Sequence, residues 1–193
     1  MGYPLILPTE DLVRAASAGF AEDVGERALK HLFAQFPCNN DRAHILLKVV
    51  TLNRIYSAGI FAVYDVADHI YRQEIDAELS SGVQEVVDRI ARVTIHSSGK
   101  ERRFWSFATK YCSWHNPDSY PIWDSRVCRY FKSLNRYLIS VNQAPFRDPE
   151  MWTRYREFRN LVDEFRIRYK LDLLSYKEVD MFLWKYGAKS NLE

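Results

Sequence analysis

Ser97-Ser98-Gly99-Lys100-Glu101-Arg102-Arg103-Phe104-Trp105 and, further on, His115-Asn116-Pro117-Asp118-Ser119-Tyr120-Pro121-Ile122-Trp123-Asp124-Ser125-Arg126-Val127 decide how this chain folds. Ser97-Ser98-Gly99 breaks two helical patterns, because small polar residues and glycine favour turns. The spacing that follows predicts a helix over about 101–114, ended by a loop that holds Pro117 and Pro121. Each proline fixes its own φ and biases the residue before it toward extended backbone, so this loop is stiff. Asp124 then stands at the N-cap position of a helix predicted to reach about Ser140. A carboxylate there accepts from orphan backbone amides and contributes ~1 kcal/mol.

Outward from this stretch, 3.6-residue apolar spacing recurs and strict alternation is scarce, so the fold class expected is all-α with about ten helices. Thr9-Glu10-Asp11 opens a helix to about Ala18. A second runs from about Glu22 to Phe36 and stops at Pro37; Asn40-Asp41 caps a third over about 42–57, broken by Ser57-Ala58-Gly59. A fourth covers about 60–72, and after Ser80-Ser81-Gly82 a helix is predicted over about 83–95. Residues 143–149 read as a linker, followed by helices over about 150–170 and 176–186.

Composition narrows the function classes. The 193 residues are 47% hydrophobic and 15% aromatic, an excess of rings that a packed core absorbs. No apolar run approaches the roughly 20 residues that span a bilayer, and the N-terminus lacks a basic segment ahead of its short apolar run, so a cytoplasmic protein with no membrane partner is expected. Three cysteines (Cys38, Cys112, Cys128) are too few and too odd for a disulfide framework and suit a reducing compartment. Charge is uneven: residues 1–99 carry 9 Lys/Arg against 13 Asp/Glu, and residues 100–170 carry 15 against 8. A segment with net charge +7 suggests a polyanion-binding face, the plainer alternative being solvated arginines on long helices.

Several chemistries have no signature here. There is no P-loop, no Gly-rich dinucleotide fingerprint and no elbow around a serine nucleophile. Cys112-x-x-His115 has ligand-like spacing, but a zinc site needs about four ligands. His69, His96 and Cys128 would have to converge from separate helices, and packed thiols and satisfied histidines are the plainer reading. No metal and no cofactor is expected.

The order Ser98-Gly99, a helix with Phe107-Ala108, then Asn116-Pro117, Tyr120-Pro121, Asp124 and Val127 resembles the helix-hairpin-helix DNA glycosylase superfamily, most nearly its 8-oxoguanine branch. Leu52-Asn53-Arg54-Ile55-Tyr56-Ser57-Ala58-Gly59-Ile60 resembles that family's helix–loop–helix, whose loop wedges into DNA where the target base leaves the stack. The resemblance covers about residues 41–140. It implies a two-lobed architecture, with residues 1–40 and 141–193 in one lobe and 41–140 in the other. It implies a monomer acting on double-stranded DNA, excising a damaged or modified base. The resemblance also admits a role in repair or in defence against phage with modified cytosines.

Under this resemblance Asp124 is the catalytic carboxylate, stabilising positive charge on the sugar and orienting a water. Asn53, Tyr56, Trp105, Tyr120 and Trp123 fall around the base pocket, since an extruded base is held between aromatic faces. Ser57 and Gly59 at the wedge loop, Ser97, Ser98, Gly99 and Lys100 at the hairpin, and Arg102, Arg103 and Arg126 beside it fall against the DNA. The family's lysine nucleophile, counted back from the prolines or forward from the glycine, falls near Phe104 or Glu101, which implies a monofunctional enzyme. Two further readings stand beside this one: a helical nucleic-acid-binding protein without the reaction, and an interaction domain that offers Arg154, Arg156 and Arg159 to an acidic partner.

Overall fold

A computed structural model describes residues 5–20, 23–148 and 153–187. Among these, ten helices and one two-stranded hairpin follow in order: α1 (Glu10–Ala18), α2 (Val24–Gln35), α3 (Arg42–Ile55), α4 (Val63–Arg72), α5 (Asp76–Ser80), α6 (Glu85–Ala91), β1 (Arg92–Ile95), β2 (Lys100–Arg103), α7 (Trp105–His115), α8 (Ser125–Ser140), α9 (Tyr155–Arg168) and α10 (Tyr176–Gly187). The all-α class holds. The predicted starts of the second helix at Glu22 and of the ninth at residues 150–152 lie outside the described residues, as does Pro149 of the linker.

Side-chain caps set several starts. Thr9 Oγ1 accepts from Leu12, Asp23 Oδ1 from Glu26, Asp41 Oδ1 from His44, and Asp124 Oδ1 from Arg126 and Val127. One prediction fails. Residues 92–95 and 100–103 are antiparallel strands, paired Arg92 to Arg103 through Ile95 to Lys100, and not helix ends. Val93, Thr94 and Ile95 are all β-branched and stiff at χ1, and burying Val93 alone alternates the chain across a strand. Gly99, at φ +63, closes the four-residue turn with its amide on the Ile95 carbonyl.

The chain divides into two units. One joins residues 1–21 to 121–193 and is built of α1 and α8–α10; the other is residues 22–120, with α2–α7 and the hairpin. These bounds differ from the expected 1–40 with 141–193 and 41–140. α2 belongs to the middle unit, and Asp124 with α8 belongs to the terminal one. The terminal unit has an aromatic core, with Tyr130 edge-on to Phe182 at 5.5 Å and Phe131 packed on Phe165 at 5.3 Å and Phe146 at 5.7 Å. Its helices approach closely at Gly187, where a Cβ would lie 2.2 Å from the Arg126 carbonyl oxygen. The middle unit has an aliphatic core of Ile45, Val49, Leu52, Val66, Ile70, Val86, Val87 and Ile90 against Phe107 and Tyr111.

Candidate functional site

In the terminal unit, Asp124 is extended (φ −153) and its side chain turns back onto the start of α8. Oδ1 accepts from the amides of Arg126 at 2.9 Å and Val127 at 3.0 Å, and the residue is 9% exposed. The loop before it is tied down: Tyr155 donates to the Pro121 carbonyl at 2.8 Å and Ile122 is buried. Trp123 is half-buried. Arg126 lies 3.6 Å above the Trp184 ring, and Arg129 donates to the Gly187 carbonyl. Burial pushes the Arg126 guanidinium down and the Asp124 carboxylate partly offsets it. The result is a fixed, largely dry carboxylate at a helix N-terminus beside a stacked arginine.

In the middle unit, α3 and α4 pack on each other and are joined by the loop 56–62. Asn53 braces that loop with both ends of its amide, Nδ2 to the Ile60 carbonyl at 2.8 Å and Oδ1 from the Ile60 amide at 2.9 Å. Asn53, expected at the base pocket, is half-buried and braces the loop. Ser57 (φ 50) and Gly59 (φ 70) take left-handed backbone and are exposed. Ile60 turns inward at 3% exposure, whereas Phe61, absent from the expected site, is 99% exposed.

Tyr56 faces inward from this loop. It donates to Glu26 Oε1 at 2.8 Å and accepts from the Trp114 indole at 3.2 Å. Ser106, Lys110 and Trp114 share one face of α7, at i, i+4, i+8. Lys110, also missed by the sequence reading, is 4% exposed, donates to Ser106 Oγ at 2.8 Å and lies 5.4 Å above the Tyr56 ring. Trp105, the first residue of α7, is half-buried. Tyr120 is corrected from pocket wall to core: it is fully buried and its hydroxyl donates to the Glu78 and Val83 carbonyls.

The hairpin is exposed from His96 to Arg103. The expectation that Ser97, Ser98, Gly99 and Lys100 present amides from a helix N-terminus is corrected, because α7 starts only at Trp105. The Ser98 and Gly99 amides bond the Ile95 carbonyl and the Lys100 amide faces Ser98 Oγ. What the hairpin presents is side-chain charge. Among the described residues no carboxylate pairs with Arg92, Lys100 or Arg102, while Arg103 reaches Glu101 at 3.4 Å. Asp65 of α4 anchors the turn, accepting from the His96 amide at 3.2 Å.

The remaining alternatives are accounted for by packing. Cys112 is fully buried, burial raising its thiol, and His115 belongs to the Lys48 network described below. Among the described residues no group of three His, Cys, Asp or Glu side chains is placed to hold a metal, and no helix is long and apolar enough to cross a membrane. Arg159 turns to the Tyr176 hydroxyl and so does not share an exposed stripe with Arg154 and Arg156.

A family model described as the HI_0787_N N-terminal domain matches residues 15–119, and the chain belongs to that family. An "Uncharacterized protein" of Haemophilus influenzae is 39% identical over 141 residues, 71% of this chain and 63% of that protein's own length. The chain thus aligns over less than two thirds of that relative. No solved structure matches the chain. The matched region nearly coincides with the middle unit and ends five residues before Asp124.

Proposed function

We propose that this chain is a DNA N-glycosylase that hydrolyses the bond between a modified or damaged base and its sugar. The observation that carries this reading is Phe61: a fully exposed ring on a loop held by Asn53, where an apolar side chain enters a duplex between base steps and unstacks them. A base once extruded needs a carboxylate to stabilise the oxocarbenium-like sugar and to hold a water, and Asp124 has the required fixation and burial. Hairpin cations Arg92, Lys100 and Arg102 supply phosphate contacts. Hydrolysis without a Schiff base is part of this reading, supported by Lys110 being buried with its ammonium on Ser106 Oγ.

The test is abasic-site formation on duplex panels containing uracil, oxidised, alkylated and phage-type modified bases. Asp124→Asn retains an N-cap acceptor, so folding is kept while excision falls at least about a hundredfold. Borohydride treatment during turnover should trap no protein–DNA adduct. Asp124 is also an ordinary helix cap in geometry, which favours a second reading, a DNA-binding protein without the reaction. Duplex binding with no abasic sites from wild type would establish that second reading, whereas equal yield from both proteins would remove Asp124 from the reaction.

A further inference from the structure

The outer face of the α3–α4 pair is not used by the reading above. Arg42, at the start of α3, bonds Asp68 at 3.1 Å and lies 4.7 Å over the Tyr71 ring, and so closes one end of a groove of about 300 Å³. Ala43 and Leu46 floor it from α3, and Tyr64, Ala67 and Asp68 wall it from α4. Ala43, Leu46, Val50 and Arg54 repeat at helical spacing along α3, so the stripe continues past the groove toward the loop that carries Phe61. Tyr64 is 74% exposed, and on α3 Leu47 and Val50 are each nearly half exposed. Large rings left in water at this level call for an occupant.

Charge identifies the occupant's class. α3 has no acidic residue anywhere in its length. Arg42 and Arg72 share the single carboxylate of Asp68, and among the described residues Arg54 pairs with none. Arg42 and Asp68 border an apolar floor beside the exposed Tyr64 ring, Arg72 shares that carboxylate, and Arg54 lies further along α3. That combination suits a polyanion whose units carry flat apolar rings, an unpaired nucleic-acid strand, better than an acidic peptide. A duplex offers no free base face to Tyr64, whereas a strand opened beside Phe61 does.

We infer that the α3–α4 groove is a stacking site for an unpaired nucleotide, with Tyr64 as platform and Arg42, Arg54 and Arg72 along its phosphate edge. This rests on the reading of the chain as a DNA-acting protein for its partner and concerns a surface apart from Asp124. Fluorescein-labelled oligothymidylate binding to the full chain, followed by anisotropy, tests it. Wild type binds; Tyr64→Phe keeps affinity within about twofold; Tyr64→Ala loses about tenfold, as base–aromatic stacking is removed. Ala43→Glu, which sets a carboxylate on the floor, weakens binding comparably. Melting temperatures of all three should match wild type, because both positions are exposed. Unchanged oligothymidylate affinity in Tyr64→Ala overturns the site, and if that variant still makes abasic sites in duplex DNA the glycosylase reading survives. A wild-type dimer that Tyr64→Ala dissociates, with no competition by oligothymidylate, overturns the nucleotide as occupant. No binding of any DNA by wild type overturns both readings.

Discussion

Lys48 is fully buried, yet its ammonium is saturated. It donates to the carbonyls of Phe36 (3.2 Å) and Cys38 (3.0 Å) and to Asn39 Oδ1 (2.7 Å), and lies 3.3 Å from His115 Nε2. Tyr111 donates to the same Asn39 oxygen, and the Asn39 amide groups are held by Asp76. The C-terminus of α2 is thereby fastened to α3, α5 and α7 through one side chain. Removing it leaves several buried acceptors unpaired, so Lys48→Met should lower unfolding free energy by about 3 kcal/mol in urea titration. His115 must present an unprotonated Nε2 to that ammonium. Burial first and Lys48 second push it down to about 3, a bond to the Pro37 carbonyl opposing them. The unfolded chain takes up this proton near pH 6.5 while the folded protein refuses it until about pH 3, so stability is full above pH 6.5 and falls as pH drops. Between pH 7 and 5 this single group should remove about 2 kcal/mol. His115→Asn should be less stable throughout but flatter over that range; an acid limb as steep as wild type would refute the assignment. Lys48, lowered by burial to about 8, acts in the same direction, adding stability as pH rises from 8 toward 10.5. None of this was legible in the sequence as function. Lys48 shares helical spacing with Ile45, Val49 and Leu52, which puts it on the core face, but a lysine there reads as an exception until its acceptors are placed.

At the scale of elements, loops were read well where a cap or a proline determined them and poorly where two states compete. Asp41 and Asp124 were identified as caps because an Asx side chain before an apolar helix has one economical use. The hairpin at 92–103 was not, because short β-branched runs fit a helix turn and a strand equally until a partner strand is present. The 56–62 loop lies between these cases. Its position was legible, but Asn53 was expected at the base pocket and Phe61 fell outside the expected residues, since Ile60 and Phe61 are both large and apolar and only packing decides which is buried. This makes a clean separation possible. Phe61→Ala removes a side chain that touches solvent alone, so melting temperature should stay within about 1 °C while excision from duplex DNA falls. Asn53→Ala should lower both, because it frees the Ile60 amide and carbonyl that shape the loop, at a cost of roughly 1–2 kcal/mol. A Phe61→Ala protein with wild-type excision would remove the loop from the mechanism.

For the whole molecule, the linear charge profile and the folded one differ. The segment 100–170 with net +7 does not survive as a unit, because the fold cuts it at residue 120. The middle unit carries 12 Lys/Arg against 13 Asp/Glu, and the terminal unit 15 against 12. Several arginines are also paired with carboxylates: Arg14 with Glu10, Arg89 with Glu78, Arg147 with Glu157, Arg166 with Asp163 and Arg168 with Glu164. If the chain acts on DNA as proposed, its affinity comes from local clusters, and in the middle unit those are Arg92, Lys100 and Arg102 on the hairpin with Arg54 beside the 56–62 loop. Four phosphate contacts release enough counterions for a slope of log K against log salt of about −3.6 on duplex DNA. Arg102→Ala should bring that slope up by about one and weaken binding alike on every sequence, since a phosphate contact carries no base information. Arg14→Ala, which breaks a paired surface arginine, should leave both unchanged. A slope near zero would mean that the hairpin does not meet a polyanion, and a slope beyond about −7 would mean that the paired arginines of α9 are recruited as well.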